Sequence, residues 1–314
     1  MADIIRSILA ISVLSATLLC TPTLVFNQQL SDPNFNATVA KPAYTKKHPK
    51  VLFDEAHFNF HTAGGRYKAF SDLITNDGYR VTANKQKFSK PSLNGYDILV
   101  IANALGATAP SDPQASMPAF TDDECEVVRE WVRNGGSLLL ITDHQPTGAA
   151  AENLAKQFSV EMSNSTVIDP AESNHLKGYF EVNLEFRRDN HLLIDHPITQ
   201  GRETTERVNR VVTFGGQSLK GPAESAGLLK LGETAIEILP SKQRVSVAGR
   251  FQAIAMKFGK GRVVVTGEAG MLSAQLVAAE EGAQPTSPWG MNFPGVDNRQ
   301  LALNIVHWLS GLLN

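Results

Sequence analysis

Gly136-Ser137-Leu138-Leu139-Leu140-Ile141-Thr142-Asp143-His144 decides how this chain is read. Ser137 to Thr142 is a short apolar run, the pattern of a central parallel strand covered by helices on both faces. It stops on two residues able to do chemistry, Asp143 and His144. The helix expected before it is punctuated at both ends. Thr121 and Glu124 have capping-box spacing, Val127, Val128, Trp131 and Val132 make an apolar stripe, and Gly135 suits a left-handed helix end. Ala149 to Phe158 reads as the helix that follows. Strand ends of this kind are where open α/β sheets bind their ligands.

Working outward, Lys50-Val51-Leu52-Phe53-Asp54 reads as a strand running into Glu55-Ala56-His57-Phe58-Asn59. Tyr67 to Asn76 reads as a helix closed near Gly78, Tyr79 to Thr82 as an outer strand, and Tyr96 to Asn103 as a second buried strand with a polar end. This alternation predicts an α/β fold, a flavodoxin-like doubly wound and mainly parallel sheet with right-handed crossovers. Gly106 to Ala119, with three prolines, is expected to wall or cover the same edge. From about 160 to 240 the pattern changes to polar loops and short strand candidates such as Val208 to Phe214, which predicts an antiparallel extension or insertion. Phe251 to Phe258 and Arg262 to Thr266 flank Gly259-Lys260-Gly261 as a hairpin, and its second strand runs into Gly267-Glu268-Ala269-Gly270. Asn298 to Leu313 closes the chain as a helix with Leu301, Ile305, Trp308 and Leu312 inward.

The 314 residues are 42% hydrophobic and 19% charged, enough apolar material for a sizeable core. A net charge of −2 with no basic block argues against nucleic acid as a partner and leaves a small-molecule ligand. Cys20 and Cys125 make neither a disulfide framework nor a zinc pattern. Ile8 to Phe26, uncharged behind Arg6, reads as a signal peptide or N-terminal anchor within residues 1–26. The expected location is therefore periplasmic or secreted. An uncleaved anchor is the alternative and the one expected route to membrane attachment. Residues 27–48, rich in Pro, Asn, Thr and Lys, read as a linker, and 49–314 as the α/β domain.

Three strand ends carry the ionisable groups: Asp54 with His57, Asp143 with His144, and Glu268. Parallel strands bring such ends to one edge, so these five are the candidate catalytic residues of a single crevice. Carboxylates beside imidazoles supply general acid–base pairs. His57, Asp143, His144 and Glu268 would equally suit a divalent cation such as zinc, manganese or iron. With no self-contained metal motif, the cofactor and any metal stay open. Asn59, Asn103 and Asn292 are the candidate substrate-binding residues. The competing reading makes Asp54 or Asp143 a helix cap and either histidine a packed core residue. Ser137 and Ser273 lack a nucleophile elbow. Gly64-Gly65 and Gly215-Gly216 match no phosphate loop and read as turns with positive φ.

Five strings carry a family resemblance: Phe53-Asp54-Glu55-Ala56-His57, Leu138 to Pro146, His196-Pro197-Ile198-Thr199-Gln200-Gly201, Val265-Thr266-Gly267-Glu268-Ala269, and Gly290 to Gln300 before Trp308-Leu309. In these the chain resembles the class I glutamine amidotransferase-like superfamily, within it the ThuA-like and gliding-motility-type bacterial domains, over about Lys50 to Asn314. The amidotransferases place a cysteine in the turn after the organising strand. Here that turn reads Thr142-Asp143-His144-Gln145, and no His-Pro-Glu string follows the late strand. The resemblance thus implies the fold without glutamine hydrolysis through a thioester. By analogy it implies a hydrolase acting on a small polar, carbohydrate-like substrate, the alternative being a non-catalytic ligand-binding or assembly module.

Overall fold

A computed structural model describes residues 29–314 except 178, 180, 240 and 279–283. The apolar run Ile8 to Phe26 and the leader expected there lie outside the described residues. The chain enters as a short strand, β1 (Gln29–Ser31). It then alternates through β2 (Lys50–Asp54), α1 (Lys68–Asn76), β3 (Arg80–Asn84), β4 (Ile98–Ala102), α2 (Asp122–Arg133), β5 (Ser137–Ile141) and α3 (Thr147–Lys156). After the inserted segment come β6 (Phe251–Phe258), β7 (Gly261–Thr266), β8 (Ala274–Val277), β9 (Ser287–Gly290) and α4 (Asn298–Leu309). The fold is a mixed α/β one, with a central, mostly parallel sheet and antiparallel additions.

In the main sheet β3, β2, β4, β5 and β7 lie side by side and parallel. Beyond β7 the direction reverses with β6, and the sheet ends in the short inserted strands Leu219–Lys220 and Glu161–Met162. Register places the strand ends level: Ala102 pairs with Ile141, and Ile141 with Thr266. Whatever follows β4, β5 and β7 therefore emerges on one edge.

The period-2 alternation of a strand sorts the apolar residues into two cores. Val51, Phe53, Ile98, Val100, Leu139, Ile141 and Val264 face α1 and α4. Leu52, Leu99, Ile101, Leu138, Leu140, Val263 and Val265 face α2 and α3. A strand buried on both faces has no polar alternate positions, which is why β4 and β5 read as unbroken apolar runs. The α2 capping box forms as expected: the Thr121 hydroxyl accepts from Glu124 N–H at 3.3 Å, and Glu124 Oε2 accepts from Thr121 N–H at 3.0 Å.

The insertion is antiparallel where it is ordered into strands. Thr166–Ile168, Ile236–Ile238 and Arg244–Ser246 make one small sheet, and Glu185–Arg187 pairs with Arg210–Val212, a shorter strand than the expected Val208 to Phe214. Gly215 and Gly216 have the positive φ expected of them, whereas Gly64 and Gly65 do not. No described helix is long and apolar enough to cross a membrane.

One expectation needs correcting. Residues 29–48 do not run free as a linker. β1 pairs antiparallel with β8, Asp77 Oδ1 accepts the Ala43 N–H at 2.8 Å, and the Tyr44 hydroxyl donates to Ser310 at 3.0 Å. Tyr44 also packs edge-on against Tyr79. Low apolar content hid this, because the segment is held by hydrogen bonds to backbone and side chains far along the chain.

Candidate functional site

The level ends of β4, β5 and β7 open on a pocket of about 120 Å³. Asn103, Asp143, His144 and Glu268 line it, with Phe60 and His61 from the loop after β2. Gln29 of β1, Phe214, Gln275 of β8 and Trp289 of β9 join the wall, with Gln145, Pro146 and Thr147 after β5 and Gly270 beside Glu268, and Pro110 of the expected covering loop reaches its rim.

Each acidic residue is fixed by backbone. Asp143 is no helix cap: α3 starts after Pro146 without a side-chain cap. Its backbone N–H donates to Thr147 Oγ1 at 2.9 Å, its Oδ1 accepts from His144 N–H at 2.8 Å, and the Gln217 amide donates to its carbonyl at 2.8 Å. Glu268 accepts from Gly270 N–H and Met271 N–H, each at 2.7 Å. Glycine is required around it. A Cβ on Gly270 would stand 2.6 Å from Glu268 Oε1, and one on Gly216 would stand 2.7 Å from Glu268 Cβ.

Burial, and then the charge of Asp143, push the Glu268 carboxyl up to about 8, against the opposing pull of the Met271, Gly270 and Phe214 backbone donors. Asp143 is raised as well by burial, although His144 and the His144 and Ala269 N–H groups pull it down. The two carboxyls therefore titrate as a pair. His144 Nε2 lies 3.6 Å from Asp143 Oδ1, and its Nδ1 is 2.8 Å from the Gln145 carbonyl.

Asp54 and His57 do not join them. His57 is buried with Nδ1 at 2.9 Å from Asp54 Oδ2 and Nε2 at 2.9 Å from Glu124 Oε1, between the rings of Phe88 and Phe120. Burial works to lower its pKa, but the hydrogen bonds and charges of Asp54 and then Glu124 win and raise it. The expected crevice thus divides: Asp54 and His57 turn back onto the start of α2, and of the five candidate catalytic residues only Asp143, His144 and Glu268, after β5 and β7, line the pocket. Of the asparagines, Asn103 lines the pocket. Asn59 instead takes the His57 N–H, and Asn292 donates to Asp32 Oδ2 and the Gln275 carbonyl. Among the described residues no group of three His, Cys, Asp or Glu side chains is arranged to hold a metal ion.

Sequence reasoning missed His61, Tyr67, Phe214, Gln275 and Trp289. His61 is buried and stacked on Tyr67, with Nδ1 unpartnered among the described residues. Burial, with the charge of Arg66, pushes it down to about 3, so the ring is neutral. The Tyr67 hydroxyl donates to the Ala269 carbonyl at 2.5 Å, which holds the turn carrying Glu268. One signal was available: Trp289 abuts the Gly290 to Gln300 string that carried the family resemblance. Cys125 is no substitute nucleophile, since it is fully buried in α2 and burial, with Asp122 and Glu124, pushes its thiol up to about 12.

No family model matches the chain, and no curated protein matches it in sequence. Solved structures do. The mmIFT52 N-terminal domain is similar over 83% of this chain and 97% of its own, with a TM-score of 0.57 at 14% identity. At that identity the likeness shows the fold alone. A GMP synthase-like protein from Thermoplasma acidophilum (TM-score 0.43, 11% identity) covers 85% of this chain and 97% of its own. A ThuA-like protein from Parabacteroides merdae (TM-score 0.42, 14% identity) covers 84% and 90%.

Proposed function

We propose that the chain is an exported glutamine amidotransferase-like protein that hydrolyses a small polar substrate, carbohydrate-like by analogy, without glutaminase activity. The strand order β3-β2-β4-β5-β7 supports a flavodoxin-like winding. One observation carries the chemistry. Asp143 and Glu268 stand at the ends of adjacent strands, and burial with the Asp143 charge keeps a proton on Glu268, in a pocket whose rim holds His144. A carboxyl that keeps its proton beside an imidazole puts an acid and a base in one place. In this reading Glu268 supplies the proton to the leaving group, His144 takes the proton of the attacking water, and Asp143 orients and charge-balances His144.

A second reading, a non-catalytic ligand-binding or assembly module, is favoured by a different observation: both Glu268 oxygens already accept backbone N–H groups. The test uses the full chain, recovered from the periplasmic or secreted fraction where it is expected, against a panel of neutral glycosides, esters and amides. Asp143→Asn and Glu268→Gln should each lower turnover roughly 10²–10⁴-fold with an unchanged circular dichroism spectrum. A wild-type chain that binds panel compounds and turns none over supports the second reading and ends the first.

A further inference from the structure

His61 and Asn103 enter the pocket wall from the loops after β2 and β4, and each is 4% exposed. His61 Nδ1 and Asn103 Oδ1 are enclosed, without a hydrogen-bond partner among the described residues. The other polar atom of each side chain, His61 Nε2 and Asn103 Nδ2, is unbonded among the described residues but not enclosed, so it is the one turned to the pocket. An enclosed lone pair without a donor is tolerated better than an enclosed N–H without an acceptor. His61 therefore carries its proton on Nε2, and Asn103 turns its NH₂ group outward. Burial and the charge of Arg66 keep His61 neutral, and stacking on Tyr67 fixes its ring. Asn103 reaches the wall from a left-handed φ of 47°, backbone strain of the kind held at functional sites. Two neutral donors thus face a pocket that also holds the protonated Glu268. Trp289 adds another donor, and Gln29 and Gln145 both donors and acceptors. Asp143 Oδ1 is already taken by the His144 N–H at 2.8 Å.

We propose that His61 Nε2 and Asn103 Nδ2 receive a carbonyl oxygen, so that the bond cleaved here is an ester or an amide; the inference rests on the hydrolase reading and narrows it. An acylated sugar satisfies both. Water adds to the carbonyl carbon as its proton passes to His144, and the C=O π pair moves onto the oxygen, where the two N–H groups hold it. That pair returns as the bond to the alcohol or amine breaks, and Glu268 gives the leaving group its proton. The products are a carboxylic acid and an alcohol or amine, and transfer of the His144 proton to Glu268 restores the site. Donors aimed where charge develops are worth most in the transition state. Here the negative charge forms together with the His144 imidazolium, so the surroundings of Asp143 gain no net charge. A ligand already anionic would bring its charge uncompensated against that carboxyl. Glycoside cleavage develops positive charge at the sugar ring instead, which N–H donors oppose.

Histidine-selective nitrogen NMR of the full chain tests the donor, with the His61 signals assigned through their contact with the Tyr67 ring. The ring should show the Nε2–H tautomer, and acetamide should shift Nε2. The Nδ1–H tautomer, or a signal that acetamide leaves unmoved, overturns the inference. In the substrate panel, esters or amides should turn over and glycosides should not. His61→Phe, which keeps a ring against Tyr67, and Asn103→Gly, which keeps the left-handed φ, should each lower kcat about 10²–10³-fold with KM little changed. Turnover of glycosides alone, or wild-type kcat in both variants, overturns the inference and leaves the hydrolase reading. No turnover at all, with acetamide held at Nε2, ends the hydrolase reading and keeps the carbonyl-oxygen site. If a variant does not fold, the wild-type spectra and panel decide.

Discussion

His57 and His144 both follow buried strands, yet they do different work. His57 is enclosed by two carboxylates and two phenyl rings, so truncating it leaves Asp54 and Glu124 buried without their shared cation. Breaking a buried ion pair from one side costs about 3–5 kcal/mol. His144 is about two-fifths exposed, and its bonds are to its own turn. His57→Ala should therefore lower the unfolding free energy by about 3–5 kcal/mol, and His144→Ala by no more than about 0.5 kcal/mol. Urea denaturation of both variants checks this. A His57→Ala protein that unfolds like wild type would mean that the clamp contributes nothing, and a large loss in His144→Ala would make that residue structural too.

At the scale of elements, the N-terminal segment matters more than its composition suggests. A chain starting at Lys50 loses β1, the Tyr44–Ser310 and Ala43–Asp77 bonds, and the Asp32–Asn292 bond. At roughly 1 kcal/mol for each of those three hydrogen bonds, before any lost packing, it should be at least about 3 kcal/mol less stable than a chain starting at Gln29. It should also bind ligand more weakly, since Gln29 is part of the pocket wall. Identical melting of the two chains would restore the linker reading. The β5 run, the α2 capping box and the β6–β7 hairpin were legible because each is a local pattern, read within a few residues. The division of the site was not. His57 finds Glu124 across 67 residues, and nothing near His57 in sequence distinguishes a clamp from a catalyst. Glu268 was legible for the opposite reason: Gly270, one of the two glycines that make room for it, stands two residues away, although the other, Gly216, is distant in sequence.

For the whole molecule, two buried protons govern stability near neutrality. Glu268 holds its proton up to about 8 when folded, against an ordinary value of 4.5, and His57 holds its own above the ordinary 6.5. Between pH 6.5 and 8 the folded chain thus keeps protons that the unfolded chain has released. Stability must fall as pH rises through that window, by at most about 1.4 kcal/mol per pH unit for each group. His61 and His196, lowered to about 3 and about 4, act below 6.5 with the opposite sign. Thermal melts from pH 6.5 to 8 should show the decline, and Glu268→Gln should reduce its slope; equal slopes in both proteins would mean that Glu268 holds no proton there. The pairing of β1 with β8 bears on the order in which a new chain becomes competent. The Asp32–Asn292 bond joins residues 260 apart, so a ribosome delivers one side of the pocket early and the other nearly last. The parallel strands β2 to β5 can collapse well before then, whereas contacts so distant in sequence close late. A nascent chain consequently acquires the parallel strands β2 to β5 before it acquires the closed pocket, and one released before β9 lacks the Trp289 wall.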